Sequence, residues 1–172
     1  MSTGTSNGTE VATARTLLLG MGNPILCDDA VGVRLAKDLK ARLIGTPGLE
    51  FVPECSVGGL SLLDVVSGYD RIIVLDSIRT AAGRPGDWYA FTAKRLRETM
   101  HLSNIHDTNF ATAMELGRRL GHCIATEDDI FICAVEVEDN ITFSETMTSG
   151  LEAAYPTVRE EILREVMALL ES

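Results

Sequence analysis

Several positions carry side chains that could do chemistry. Asp28 and Asp29 follow the turn-forming stretch Gly20-Met21-Gly22-Asn23-Pro24-Ile25. Asp76 closes the apolar run Ile72–Leu75, and His106 stands in the polar run 104–109. Two carboxylates and one imidazole form a plausible ligand set for a first-row metal, with a coordination position left open. Each residue also has a plain structural reading. One of Asp28 and Asp29 can cap the helix that follows, worth about 0.5–2 kcal/mol, which leaves the other to point into a crevice. Asp76 can cap the turn that opens at Ser77. A lone histidine is more often structural than functional. Of the other histidines, His122 after Gly121 suits a helix C-terminus, where a cation is favoured, and His101 lies in an unreadable stretch. Cys27 is the thiol nearest the aspartate pair, but no histidine lies close to it in sequence to activate it. The residues point to a metal or acid–base site and name no substrate.

The elements that must position these groups alternate between short apolar runs and amphipathic stretches. A strand is expected at Thr16–Met21, apolar throughout and so buried on both faces. A helix follows, opened by Asp28, with Val31, Leu35, Ala36, Leu39 and Leu43 at helical spacing. Leu49–Cys55 reads as a second strand, and a short helix carries Leu60, Leu62, Leu63, Val65 and Val66. Arg71–Leu75 is a buried strand ending at Asp76. Trp88–Phe91 reads as an extra strand, and 92–105 gives no clear pattern. His106–Leu120 reads as a helix burying Phe110, Ala113, Met114, Leu116 and Leu120, and Asp129–Val135 as another buried strand. Ser149–Glu171 is helical, with Pro156 tolerated only in a first turn, an apolar stripe from Val158 to Leu170, and Glu160 paired with Arg164. This alternation implies βαβ units and a mainly parallel sheet covered on both faces, whose sites lie at the carboxyl ends of the strands. Residues 1–15, rich in Ser, Thr and Gly, read as a disordered tail before one domain over 16–172.

The 172 residues fit one domain of ordinary size. A formal net charge of −10 repels phosphate backbones and anionic lipid, which disfavours nucleic acid and membrane partners. No run approaches the roughly 20 apolar residues of a membrane span, and no signal-peptide core is present, so a cytoplasmic location is expected. Cys27, Cys55, Cys123 and Cys133 form no C-x-x-C pair. Three of them sit in or beside apolar runs and read as buried free thiols. The Gly20-Met21-Gly22 stretch begins like a dinucleotide fingerprint. Ile25 takes the place of its third glycine and Pro24 stiffens the loop, which counts against nucleotide binding.

In order along the chain, these segments resemble the nickel–iron hydrogenase maturation endopeptidases. The block Leu17-Leu18-Leu19-Gly20-Met21-Gly22-Asn23-Pro24-Ile25-Leu26-Cys27-Asp28-Asp29-Ala30-Val31-Gly32 is similar to that family's N-terminal signature. Ser56-Val57-Gly58-Gly59-Leu60 with Ile72-Ile73-Val74-Leu75-Asp76-Ser77 matches a second block, and His106 with its helix a third. The resemblance implies a three-layer α/β/α fold with a twisted, partly mixed sheet. It implies that Asp29, Asp76 and His106 engage nickel, supplied by the substrate rather than held permanently. It implies removal of a short C-terminal extension from a hydrogenase large-subunit precursor, the expected partner, by a protein expected to be monomeric. A nickel-binding checkpoint or chaperone without peptidase activity would use the same residues. Asn109-Phe110, Val137 and Ser149 depart from the family pattern and point to a subfamily with its own client.

Overall fold

The computed structural model describes residues 14–57, 59–98 and 105–172, without the side chains of residues 96–98, 105–109 and 111. The expected tail therefore lies almost wholly outside the described residues, as does His101. The element order is β1 (Thr16–Met21), a 3-10 turn (Cys27–Ala30), α1 (Val31–Leu43), β2 (Leu49–Cys55), α2 (Ser61–Val66), β3 (Arg71–Ile78), β4 (Trp88–Thr92), α3 (Ala93–Glu98), α4 (Ile105–Arg119), β5 (Ile130–Glu136) and α5 (Ser149–Glu171).

The strands form one sheet in the order β2-β1-β3-β5-β4. β1 runs parallel to β2 and β3, β3 runs parallel to β5, and β4 pairs antiparallel with β5. The mixed, mainly parallel sheet expected from the sequence is present. All six residues of β1 are buried, as a strand covered on both sides requires. Alternate side chains feed two cores. Leu17, Leu19, Ile72, Val74 and Ile132 pack with Leu62, Phe110 and Met114 from α2 and α4. Leu18, Ile73, Leu75, Cys133 and Val135 pack with Leu35, Leu39, Tyr155 and Ile162 from α1 and α5. Helices thus cover both faces, which gives the three layers.

Close backbone approach fixes where α1 begins. A Cβ on Gly32 would lie 2.4 Å from the carbonyl oxygens of both Leu75 and Met21. Only glycine lets the first turn of α1 sit this near the carboxyl ends of β1 and β3. Gly20, which imitates a nucleotide fingerprint in sequence, is a packing glycine. A Cβ there would meet Pro53 O at 2.5 Å and Ala36 Cβ at 2.6 Å.

The structure corrects several local expectations. β3 does not stop at Asp76; it continues through Ile78, with Asp76 opposite Ala134 on β5. Leu116 and Leu120 are 39% and 62% exposed, because the inner side of α4 passes through Gly117, which packs on Leu63 and Ile124. Pro156 lies in the second turn of α5 or beyond rather than its first, on the exposed side, where water can satisfy the carbonyl freed by the missing N–H. Glu160 turns its carboxylate to Arg42 and Arg159, while Arg164 donates to the Glu160 main-chain carbonyl. Past the end of α4 the His122 N–H bonds to Gly117 O and the Gly121 N–H to Arg118 O, with Gly121 at φ 86°. This is a glycine-closed Schellman end. The His122 ring meets Ser67 Oγ at 3.2 Å instead of the helix carbonyls.

Candidate functional site

The loop after β1 folds into the 3-10 turn that carries both aspartates. Cys27, at φ 29°, is the one non-glycine residue with positive φ among the described residues. In the 3-10 turn successive side chains point about 120° apart, so the two adjacent carboxylates go to different partners.

Asp28 is fully buried and points away from the crevice. Its oxygens accept from the N–H groups of Glu138, Asp139 and Thr148 and from the Thr148 hydroxyl, at 2.7–3.1 Å. Neither the 3-10 turn nor α1 has a side-chain cap, so the capping role expected of one aspartate is not the one Asp28 performs. It ties the β5–α5 connection to the site loop instead. Nothing in the sequence signals this, because the donors, three main-chain N–H groups and the Thr148 hydroxyl, lie more than 100 residues away.

Asp29 is also buried, but it faces the other way. Its Oδ2 accepts the Asn23 N–H at 2.8 Å and its Oδ1 accepts the Ser77 hydroxyl at 2.7 Å. It lines a cavity of about 200 Å³ together with Gly22, Asn23, Leu26, Cys55, Val57 and Phe110. The walls come from the exits of β1 and β2 and from α4, so the cavity lies at the carboxyl ends of the strands.

Asp76 is buried on β3 one residue before Ser77, and its Oδ1 accepts the Ser77 N–H at 2.8 Å. Part of the plain reading holds, since Asp76 does engage the Ser77 main chain. No turn opens there, however, because the strand continues. Ser77 consequently donates to both aspartates, through its N–H to Asp76 and its hydroxyl to Asp29. Ser77 does not stand out in the sequence as a site residue. The signal is a hydroxyl directly after a carboxylate in a strand whose other residues, Arg71 apart, are aliphatic.

His106 falls in the first turn of α4, and its side chain lies outside the described residues. Among the described residues, no three His, Cys, Asp or Glu side chains gather at metal-holding distance. The structure therefore brings Asp29 and Asp76 together around Ser77 and leaves the position of the imidazole open. Cys27 Sγ packs against Asp28 Oδ1 and Thr146 O at 3.8 and 3.5 Å. Burial, and then the Asp28 and Asp139 carboxylates, raise its thiol pKa, the opposite of what an activated nucleophile needs. Cys27, Cys55 and Cys133 are buried free thiols as expected, and Cys123 is exposed.

The family model described as hydrogenase maturation protease matches residues 33–165. Asp76 and His106 fall inside that span and Asp29 just before it. The hydrogenase 2 maturation protease of Escherichia coli (strain K12) is 35% identical over 72 residues, covering 42% of this chain and 43% of that protein, so the alignment spans less than half of the relative. Among solved structures, the hydrogenase maturating endopeptidase HybD from E. coli is similar with a TM-score of 0.72 at 23% identity, over 90% of this chain and 93% of that one. A [NiFe] hydrogenase maturation protease HycI from Thermococcus kodakarensis gives 0.65 at 18% identity, over 94% and 96%. At these identities the structural likeness concerns the fold.

Proposed function

The chain belongs to the hydrogenase maturation protease family, and we propose that it is an endopeptidase that removes a short C-terminal extension from a nickel-loaded [NiFe] hydrogenase large-subunit precursor. The observation that carries this reading is the pairing of two buried carboxylates, Asp29 and Asp76, around one serine, with Asp29 opening onto a cavity at the strand ends.

The donor chemistry fits nickel arriving with the substrate. The donors described on Asp29 are neutral, an amide N–H and a hydroxyl, and they leave its negative charge to be matched from the cavity. Hard carboxylate oxygens and an imidazole suit a divalent first-row ion. In this proposal His106 is the third ligand. Its position in the first turn of α4, the helix whose Phe110 lines the same cavity, supports this reading.

Asp29 and Asp76 hold the metal-bearing end of the precursor and thereby set the scissile peptide in the crevice. Nickel, when present, supplies Lewis-acid polarisation. A carboxylate of the pair takes the proton from the attacking water as general base, which makes the reaction aspartic in type. Because the ligands recognise the metal, cleavage reports that nickel insertion is complete.

The test is to incubate the protein with matched precursor in nickel-free and nickel-loaded forms and to follow the large-subunit mass. Loss of a C-terminal peptide from the loaded form alone is expected. Binding of the loaded form with no scission would replace the endopeptidase reading with that of a nickel-dependent checkpoint.

A further inference from the structure

Asp29 and Asp76 come from different parts of the chain, one from the turn before α1 and the other from β3. A two-carboxylate site works only if both groups are held at a fixed separation, and buried carboxylates repel one another when both are ionised. Ser77 is buried, and among the described contacts it is the residue that donates to both. Its position is rigid, because it lies in β3 and pairs in register with Val135 on β5. Its hydroxyl reaches Asp29 Oδ1 at 2.7 Å, a length typical of a hydroxyl-to-carboxylate bond. The Asn23 N–H holds the other oxygen, so the Asp29 carboxylate is clamped from both sides.

We propose that Ser77 is a positioning residue that fixes the Asp29 carboxylate relative to Asp76 for the reaction proposed above. The inference rests on that reading for its kinetic consequence and on geometry alone for its structural one. Ser77 acts through Asp29: among the described contacts its hydroxyl donates to that carboxylate, and Ser77 is absent from the cavity lining. Outer groups that orient metal ligands typically change affinity or activity about 10–100-fold when removed. Removal of the Ser77 hydroxyl leaves Asp29 with the Asn23 N–H as its remaining described anchor, and the carboxylate is then free to rotate about χ2.

The experiment compares the full-length wild type with Ser77→Ala and Ser77→Thr by crystal structure and by steady-state cleavage of nickel-loaded precursor. In Ser77→Ala the Asp29 carboxylate is expected to leave its wild-type orientation and kcat/KM to fall about 10–100-fold, since Asp29 both binds and positions the precursor. Ser77→Thr, which keeps the hydroxyl, is expected to restore both. An unmoved Asp29 in Ser77→Ala overturns the proposal. If kcat/KM then still collapses, the serine acts chemically in its own right. A wild type that cleaves no precursor sinks the endopeptidase reading instead, and the Asp29 orientation in the two variants still decides the role of Ser77.

Discussion

Asp28 and Thr148 are joined twice: the Thr148 N–H donates to Asp28 Oδ1 at 2.7 Å and its hydroxyl to Oδ2 at 3.0 Å. With the N–H groups of Glu138 and Asp139 on the same carboxylate, this contact fixes where α5 starts relative to the site loop. Asp28→Asn keeps the shape but replaces one acceptor oxygen with a donor facing other donors. Hydrogen bonds to a charged partner are worth about 1.5–3 kcal/mol. Urea denaturation is expected to show a loss of about 2–3 kcal/mol. An unchanged midpoint would mean that the clasp contributes nothing.

Gly32 gives a test of the fold's effect on the site. Alanine there places a methyl group 2.4 Å from two main-chain carbonyls, one of them belonging to Leu75, the residue before Asp76. Backbone must shift, and overpacking of this kind costs about 1–3 kcal/mol. Gly32→Ala is expected to lower both stability and cleavage rate, since α1 moves relative to β3. Full activity at reduced stability would show that the spacing of the site tolerates the shift.

Stability should fall on the alkaline side. Burial pushes the Cys133 thiol up to about 12, and burial together with a hydrogen bond to Asp38 raises the Tyr155 phenol. Both groups are neutral in the fold while their unfolded counterparts ionise, the thiol near pH 8.5 and the phenol near 10. Above those values the unfolded chain binds fewer protons than the native one, so unfolding becomes easier as pH rises. The contribution of Cys133 is complete below about pH 8.5 and is lost progressively up to about 12. Denaturation midpoints measured between pH 7 and 11 are expected to fall, with a shallower slope in Cys133→Ala. Parallel curves for the two proteins would contradict this assignment.

Cys27 separates backbone from chemistry. Its raised thiol pKa and its packing against Asp28 and Thr146 give it no nucleophilic role. Removal of a true nucleophile costs on the order of 10⁴–10⁶ in kcat, whereas Cys27→Ser is expected to stay within about fivefold of wild type. Loss of all cleavage in a folded Cys27→Ser protein would transfer the reaction to a thiol.

Much of this arrangement is legible in the sequence because buried parallel strands leave unbroken apolar runs. Thr16–Met21 and Leu49–Cys55 stand where the sequence puts them, and so does Ser149–Glu171. What was not legible depends on partners distant along the chain. A carboxylate reads as a strand end, yet pairing with β5 carries β3 past Asp76 to Ile78. Leu116 and Leu120 fit a helical stripe, but the packing of Gly117 on Leu63 rotates that stripe away from them. Asp28 and Asp29 look equivalent in sequence. Only the fold shows that one clasps a loop and the other lines the cavity.

The proposed activity requires both Asp29 and Asp76 for peptide-bond scission. The most direct measurement is mass spectrometry of nickel-loaded precursor after incubation with wild type, Asp29→Asn, Asp76→Asn and His106→Ala, each first shown to be folded. Wild type is expected to release a short C-terminal peptide, and each variant to release none on the same timescale. Cleavage by folded Asp29→Asn or Asp76→Asn at the wild-type rate would contradict the account and place the catalytic groups elsewhere.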